Sequence, residues 1–339
     1  MSPARTPDQT KPAIRRPCGG RPCHISGIGT YRPRQVITSS EIDAQLSLPS
    51  DWIQKRTGIV SRHQASDKET LVSMGSKAAR SALDHAELKP SDVGCVVLAT
   101  MTNTRQIPAL APALTRDLGA SQAGAYDVNA ACAGFSLGLT TAAGHISTGA
   151  AEHVLVVAAE RLVDVVDPTD RDTAAVFADG AGAAVVSAAD RAGFGPVAWG
   201  SDGTAEHLFT LERRRTQVTS TDPVLHMDGP ELARRFGSQM TPLARTALIQ
   251  AETTWRDISA FIPHQANERL IQRFVDELNL PNHVTVARAI RTDGNTSAAS
   301  IPLAIETLLA SGEAESGELA LLLGFGVGMT WAAQVVRLP

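Results

Sequence analysis

An internal repeat constrains the fold of this chain more than any other feature of its sequence. Residues 79–92 read ARSALDHAELKPSD and residues 244–257 read ARTALIQAETTWRD, with seven identical positions in fourteen and no gap. The segments lie 165 residues apart (244 − 79 = 165) in a chain of 339 residues. A solenoid repeat would be shorter and would recur more often. One large duplication predicts two similar halves about a pseudo-twofold axis.

Apolar runs alternate with helical patterns along the chain. The apolar runs, typical of buried central strands, occupy residues 93–100, 154–159, 183–186 and 319–323. Helical patterns lie between them, for example at 71–86 and 231–251. The alternation predicts an α/β fold. We expect a flexible proline-rich extension at 1–22, an N-terminal half at 23–190 and a C-terminal half at 191–339.

A weaker match lies further along each half. Cys132 opens a helix of small residues that ends near Gly149, and Asn295 opens another that ends near Gly312. Both spacings are seventeen residues (149 − 132 and 312 − 295). If the halves are related, Cys132 and Asn295 should occupy equivalent helix starts. Equivalent elements of a pseudo-dyad can converge, so we expect both residues at one central site.

Charge and composition exclude several classes of function. The net charge is −4, from 31 basic and 35 acidic residues, and aromatic residues make up 4% of the chain, which disfavours nucleic-acid binding. The first 22 residues contain no apolar run of the kind that a signal peptide needs. Glycines interrupt the uncharged stretch 319–336, which favours two buried strands over a membrane span. We expect a cytoplasmic enzyme that does not contact a membrane.

The cysteines do not form a metal-binding pattern. Cys18 and Cys23 are followed by no second Cys or His pair at a metal-ligand spacing, so a zinc site is not expected. Cys132 differs from the others because it lies between a predicted strand, 123–128, and the start of a helix. The positive N-terminus of a helix stabilises a thiolate, and the flanking alanines and glycine leave room for a substrate. Cys132 is therefore a candidate nucleophile; an inert buried cysteine is the alternative.

Three further motifs have a structural and a functional interpretation. His264 follows the apolar segment 261–263, at a strand end where α/β sites gather. Asn295 follows a glycine and precedes a helix, so it either caps that helix or directs a hydrogen-bond donor into a site. Segment 324–331, GFGVGMTW, has alternating glycines that permit close backbone approach. It lacks the Lys-Ser/Thr pair of a phosphate-binding loop.

Together these motifs resemble β-ketoacyl-ACP synthase III of the thiolase superfamily, over residues 23–339. The segments that carry the resemblance are ACAGF around Cys132, PHQAN around His264, GNTSAAS around Asn295, the DWIxxRTGI-type segment Asp51–Ile59, DPTDR at Asp167–Arg171 and the final GFGxGxTW. The resemblance implies the five-layered α-β-α-β-α thiolase fold, in agreement with the duplication, and a homodimer.

The resemblance also implies a chemistry. Cys132 would take an acyl group from acyl-CoA, and the backbone N–H groups of Cys132 and Val327 would form an oxyanion hole. Malonyl-ACP would then enter, and His264 and Asn295 would donate hydrogen bonds to its thioester carbonyl while carbon dioxide leaves. The carbanion would attack the acyl-cysteine and give a 3-ketoacyl-ACP. No metal and no cofactor are implied, because the CoA thioester is a substrate.

Matching motif by motif extends the site outward. The resemblance implies that Trp52, Arg56 and Arg171 bind the adenine and phosphates of CoA. Asn267 would lie near the pantetheine arm, and Arg269 would help to dock the acidic acyl carrier protein. Ordinary surface positions are the alternative for these residues.

Two departures from the family pattern bear on the substrate. Val327 stands where many relatives have a small residue. Ile107 falls where members of the family have a residue that lines the partner subunit's acyl pocket. Because Ile107 is smaller than an aromatic ring, we expect a starter longer than acetyl, priming a fatty acid or a polyketide.

Other functions remain open on the sequence. Chalcone-synthase-like type III polyketide synthases use the same residue types, but with a GFGPG loop and another histidine context. Elongating ketosynthases have a second histidine where this chain has Asn295. An acyltransferase derived from the family would move the acyl group to an acceptor other than malonyl-ACP. A cysteine protease lacks support from the sequence around Cys132, and a binding module would require that Cys132, His264 and Asn295 do not converge.

Overall fold

The computed structural model describes residues 14–15, 20–105, 107–212 and 224–339. Most of the predicted extension at 1–22, including Cys18, lies outside these ranges. The helices are α1 (Ser39–Gln45), α2 (Trp52–Thr57), α3 (Leu71–His85), α4 (Ala111–Leu118), α5 (Gly134–Ser147), α6 (Arg171–Ala174), α7 (Gly229–Gln250), α8 (Glu268–Leu278), α9 (Ile290–Asp293) and α10 (Ser300–Ser311).

The strands begin and end close to the predicted apolar runs. They are β1 (Cys23–Tyr31), β2 (Gln35–Thr38), β3 (Ser61–Gln64), β4 (Cys95–Ala99), β5 (Gly124–Val128), β6 (His153–Glu160), β7 (Gly180–Ala188), β8 (Ala198–Ser201), β9 (Phe209–Glu212), β10 (Val224–Met227), β11 (Ala260–Pro263), β12 (Thr285–Val286), β13 (Leu319–Gly326) and β14 (Thr330–Arg337). The strands predicted at 93–100, 154–159, 183–186 and 319–323 are thus confirmed.

The repeated segments fold in the same way. The first covers the end of α3 and the second the end of α7. Immediately after these helices, Glu87 and Glu252 both adopt a left-handed conformation with a φ of 55°. They are 165 residues apart (252 − 87), as the sequence repeat requires. Each segment then leads into a central strand, β4 or β11.

Two five-stranded sheets carry the duplication through the molecule. Their strand orders are β1-β7-β6-β4-β5 and β8-β14-β13-β11-β12. Each strand of the first sheet corresponds to one of the second in chain order. The pair directions also agree, because β4 is parallel to both of its neighbours and so is β11. The duplicated thiolase-type architecture is confirmed; the division of the chain at residues 190 and 191 stays a prediction.

Buried residues on alternate faces of the strands separate the layers. In β4, Cys95, Val97 and Ala99 belong to a central cluster shared with α5, α10 and the second sheet, whereas Val96 and Leu98 pack against α3 and α4. The outer face of the second sheet packs against α7 and α8. Because both sheets are covered on both faces, their central strands are continuously apolar. The layer order is therefore α-β-α-β-α.

The expected equivalence of Cys132 and Asn295 was wrong by three residues. The 3₁₀ turns that precede α5 and α10 are Ala131–Ala133 and Ser297–Ala299, and each begins with a residue of positive φ, 45° and 49°. This correspondence pairs Cys132 with Ala298, and Asn295 with Asn129. The count to the terminal glycines failed because α5 has 14 residues and α10 has 12, and because Thr148 separates α5 from Gly149 whereas Gly312 follows α10 directly.

The long uncharged stretch 319–336 forms a hairpin of β13 and β14, which pair antiparallel. The sequence-based expectation of two buried strands is confirmed. In the part of the chain that the structure describes, no helix is both long and apolar enough to span a membrane.

Candidate active site

One cavity of about 490 Å³ collects residues from both halves of the molecule. Nine of the ten residues singled out in the sequence line it: Cys132, His264, Asn295, Val327, Trp52, Arg56, Arg171, Asn267 and Arg269. Ile107 does not line this cavity and is 81% exposed.

Cys132 lies in the turn between β5 and α5 and is 6% exposed. The pKa of Cys132 is raised to about 12, chiefly by burial; the Ser297 hydroxyl and the cysteine's own backbone lower it, and the nearby Glu160 carboxyl raises it. Desolvation of the charge therefore outweighs the stabilisation that the helix N-terminus offers to a thiolate. The group at rest is a thiol, and it must lose its proton in the course of attack.

The glycine-rich end of β13 packs directly against the backbone of the cysteine turn. A Cβ on Gly326 would lie 2.7 Å from the Ala130 oxygen and 2.9 Å from the Cys132 nitrogen. Glycine is thus required here for close approach of the two backbones. The next residue, Val327, lines the cavity. Cys132, in the turn that Gly326 approaches, lines the same cavity.

His264 follows β11 and is 2% exposed. Its Nδ1 is 2.7 Å from Ser300 Oγ, and its ring packs edge-on against Phe325 with 5.1 Å between centroids. Burial lowers the pKa of His264 to about 3, so the imidazole is neutral at physiological pH. With Nδ1 bonded to Ser300, Nε2 is the nitrogen left for a ligand.

Asn295 is held by its backbone and by the amide oxygen of its side chain. Its N–H donates to Val176 at 3.1 Å, and its carbonyl accepts from Ala178 at 3.0 Å. Its Oδ1 accepts from the Ser297 N–H at 2.9 Å. Because the amide oxygen is used within the turn, the Nδ2 group is the part of the side chain that can donate to a ligand. Asn295 both shapes the turn and offers a donor.

The mouth of the cavity combines an indole with arginines. The Arg56 guanidinium carbon lies 4.5 Å from the centre of the Trp52 ring. Arg171 and Arg269 are exposed, and Arg273, which sequence reasoning missed, also lines the cavity. Cations beside an aromatic face suit a nucleotide with phosphates. Asn267 caps α8 by accepting from the Arg269 N–H at 2.8 Å, so only its amide nitrogen is free to donate.

Comparison with known proteins identifies the group to which the chain belongs. Sequence models of 3-oxoacyl-[acyl-carrier-protein] synthase III match residues 126–203 and, for the C-terminal part, 248–338. A protein of Streptomyces glaucescens named β-ketoacyl-[acyl-carrier-protein] synthase III is 44% identical over 329 residues, which cover 96% of this chain and 99% of the relative.

The chain belongs to the β-ketoacyl-[acyl-carrier-protein] synthase III family. It is an acyl-transferring condensing enzyme of the priming type.

Solved synthase III structures agree with this assignment. The priming β-ketosynthase from the R1128 polyketide biosynthetic pathway has a TM-score of 0.92 and 42% identity, covering 97% of this chain and 99% of its own. The 3-oxoacyl-[acyl-carrier-protein] synthase III of Aquifex aeolicus has a TM-score of 0.85 and 35% identity, covering 93% and 99%. The cysteine-protease and binding-module alternatives are thereby excluded.

A buried carboxyl lies beside this synthase III site. Glu160, the last residue of β6, is 0% exposed and accepts hydrogen bonds from Thr100, Met101 and Thr102, the shortest at 2.6 Å from the Thr102 hydroxyl. Burial raises the pKa of Glu160 to about 7. The Ser297 hydroxyl makes no hydrogen bond of regular geometry, but it is close enough to lower the pKa of both Glu160 and Cys132.

Sequence reasoning missed the residues that hold the synthase III site in place. Ser300 and Gln265 stand within the GNTSAAS and PHQAN segments, but their contacts join residues 36 or 25 positions apart. The apolar wall of the cavity was also missed; it includes Phe209, Met227, Leu232 and Phe236. Within the described residues, no group of three or more His, Cys, Asp or Glu side chains could hold a metal ion.

Proposed function

We propose that this condensing enzyme takes an acyl group from acyl-CoA on to Cys132 and joins it to malonyl-ACP by decarboxylative Claisen condensation. The product would prime fatty acid or polyketide synthesis. The observation that carries the proposal is the convergence of Cys132, His264 and Asn295 on one cavity whose mouth has Trp52 and exposed arginines.

In the first half-reaction, the sulfur of Cys132 attacks the thioester carbon of acyl-CoA. The C–S bond to CoA breaks, and the proton of the cysteine thiol ends on the CoA sulfur. Negative charge develops on the carbonyl oxygen, which the backbone N–H groups of Cys132 and Val327 stabilise. The neighbouring strand end, where only glycine fits at position 326, supports this assignment.

In the second half-reaction, malonyl-ACP loses carbon dioxide and its thioester becomes an enolate. His264 and Asn295 donate hydrogen bonds to the enolate oxygen. A neutral histidine suits this step, because a strong acid would protonate the carbanion. The enolate carbon then bonds to the acyl carbon, the C–S bond to Cys132 breaks, and the cysteine thiolate takes a proton from water.

The outer residues bind the carriers. Trp52, Arg56 and Arg171 contact the adenine and phosphates of CoA, Asn267 lies along the pantetheine arm, and Arg269 pairs with acidic groups of the acyl carrier protein. The stacking of Arg56 on Trp52 supports this arrangement. No resident cofactor is required by these steps.

We propose a homodimer in which Ile107 of each chain contacts the acyl group held by its partner. The support is that Ile107 is apolar, 81% exposed and absent from the cavity of its own chain. Because Ile107 is smaller than an aromatic ring, the pocket should accept a starter longer than acetyl. Two extra methylenes that fit the pocket gain about 1.6 kcal/mol of binding free energy, or about fifteenfold in preference. Values of kcat/KM for acetyl-, butyryl-, isobutyryl- and hexanoyl-CoA test this. Acetyl preference, or no shift toward acetyl in Ile107→Phe, would contradict it.

Intact-mass spectrometry tests the main proposal. The protein is incubated with each acyl-CoA and then with malonyl-ACP. We expect a one-acyl adduct on the chain, absent in Cys132→Ala, that malonyl-ACP discharges as 3-ketoacyl-ACP. Discharge only to a hydroxyl or amine acceptor would instead identify the acyltransferase alternative.

A further inference from the structure

The two ring nitrogens of His264 have different surroundings, and the proposed chemistry depends on which one carries the proton. Nδ1 is 2.7 Å from Ser300 Oγ, and both residues are 2% exposed. A neutral imidazole has one N–H and one acceptor nitrogen. For Nε2 to donate to an enolate oxygen, Nδ1 must be the acceptor, and the proton between the two groups must belong to Ser300.

The hydrogen bonds of Ser300 decide where that proton is. The backbone N–H of Gln265 donates to Ser300 Oγ at 3.2 Å. The serine oxygen is therefore already an acceptor, and its hydroxyl proton still needs a partner. Among the described residues, His264 Nδ1 is the remaining group bonded to this oxygen. If Nδ1 carried a proton, both neighbours would donate to Ser300 and its own buried O–H would have no acceptor, which is unfavourable.

The N–H that fixes Ser300 is itself fixed. Gln265 is 1% exposed, and its side-chain amide donates to the carbonyls of Pro263 at 2.7 Å and Ala287 at 3.2 Å. Its amide oxygen accepts from the Ile290 N–H at 3.1 Å. With every polar group of the side chain engaged, the residue and its backbone N–H have little freedom to move.

We propose that Ser300 is a positioning residue that holds His264 in the tautomer protonated at Nε2. The ring then donates into the cavity and does not accept there. The inference deepens the proposed function and rests on it, because it explains how His264 can serve malonyl decarboxylation. It also separates the half-reactions: decarboxylation needs the Nε2 proton, whereas transfer of the thiol proton to CoA does not use His264 as a base.

The variant Ser300→Ala removes the donor to Nδ1. We expect the ring to populate the Nδ1–H tautomer and malonyl-ACP decarboxylation to fall about 10- to 100-fold, since one transition-state donor is lost for part of the population. Acyl loading from saturating acyl-CoA should change by less than about threefold. Decarboxylation is measured in the Cys132→Ala background and loading by intact mass in the native-cysteine background.

Nitrogen NMR of protein labelled with ¹⁵N-histidine reads the tautomer directly. The His264 signals are identified by their loss in His264→Gln. We expect a protonated Nε2 and an unprotonated Nδ1 in the native chain, a shift of proton to Nδ1 in Ser300→Ala, and the native pattern in Ser300→Thr, which keeps the hydroxyl. Ser76→Ala is the matched control: it also removes a buried hydroxyl, on α3, that has no partner.

Several results would overturn the proposal. One is a native tautomer protonated at Nδ1; another is Ser300→Ala retaining both the Nε2 proton and full decarboxylation. A parallel loss of loading and decarboxylation that follows a lowered Tm would make Ser300 merely structural. If Ser300→Ala does not fold, the comparison of Ser300→Thr with the native chain by NMR and decarboxylation decides. If His264→Ala decarboxylates normally, the proposed function fails, and the tautomer result is judged separately.

Discussion

The two 3₁₀ turns before α5 and α10 share a backbone and differ in chemistry. Asn129 Oδ1 accepts from the Ala131 N–H at 3.2 Å, and Asn295 Oδ1 accepts from the Ser297 N–H at 2.9 Å. Both turns then continue into a helix of the central layer. The residue after Ala131 in the first turn is Cys132, the proposed nucleophile, and the residue after Ser297 in the second turn is Ala298. One backbone scaffold therefore places the proposed nucleophile in one half and the proposed hydrogen-bond donor Asn295 in the other.

The strand ends that meet the turns differ as well. Gly326, which ends β13, lets the backbone approach the Cys132 turn closely. The corresponding residue of the other half is Glu160, which ends β6 and interacts with Ser297 in the second turn. A glycine exposes backbone N–H groups to a substrate, whereas a glutamate fills the space. The difference explains why the oxyanion hole is expected on the first turn only.

Exchanging the nucleophile between the turns should have the largest effect. We expect Cys132→Ala to abolish acyl loading and to retain malonyl decarboxylation, because His264 and Asn295 remain. Adding Ala298→Cys should not restore loading, since Ala298 is 1% exposed and does not line the cavity. Intact-mass spectrometry after incubation with acyl-CoA measures both. An adduct on the double variant would mean that the turns are interchangeable.

Separate alanine variants of Asn295 and Asn129 compare the side chains at equivalent positions of the two turns. Asn295→Ala should slow malonyl decarboxylation by about 10²- to 10³-fold, because a donor to the developing charge is lost. Asn129→Ala removes the equivalent turn-forming residue, which is exposed and outside the cavity lining, so decarboxylation should stay within about threefold. Initial rates of carbon dioxide release from malonyl-ACP measure the difference. Equal losses would show that Asn295 acts only through the turn.

Neutralising the buried acid beside the second turn should change stability with pH. The pKa of Glu160 rises from 4.5 to about 7, so the folded state favours the neutral carboxyl. Its stabilising contribution is complete below its ordinary pKa and is lost as the pH rises through 7. The glutamine of Glu160→Gln does not ionise. The Tm of this variant, relative to that of the native chain, should therefore rise by about 2–4 °C as the pH increases from about 5 to about 8. Calorimetry at matched pH values tests this; a constant difference would argue against it.

The smallest expected effect is the pH response of His264. Burial lowers the pKa of His264 to about 3, so the ring stays neutral in the physiological range. Decarboxylation by the Cys132→Ala variant should then be nearly constant between about pH 5 and pH 8. A pH profile of the decarboxylation rate with a midpoint at about 6.5 would show that the His264 ring titrates as an exposed histidine does.

Patterns that depend on local sequence were predicted well. The helix expected at 71–86 is α3, Leu71–His85, and the uncharged stretch 319–336 is a hairpin. The offset of 165 residues marked equivalent helix ends, because both ends carry the same sequence and backbone conformation. The nine cavity residues were found because they stand in segments that resemble a known family.

Features that arise from packing were not predicted. The raised pKa of Cys132 could not be predicted, since a helix start is visible in the sequence but the burial that raises the pKa is not. Glu160 follows an apolar run in the sequence, and nothing in that position predicts its hydrogen bonds to residues 100–102. Ser300 is part of the GNTSAAS segment, but its proposed role depends on a hydrogen bond to His264, which is 36 residues away in the sequence.

Cys132 lies in the first half of the molecule, and His264 and Asn295 lie in the second, so the distances between them depend on how the two halves pack together. Helices α5 and α10 form the layer between the sheets, where Phe135 and Leu139 share one core cluster with Ile305 and Leu308. A displacement of about 1 Å between reacting groups can cost about 10²-fold in rate. Core side chains of this layer therefore help to set the distances between Cys132, His264 and Asn295. A smaller side chain that opened a cavity in the layer would change these distances and so slow the reaction.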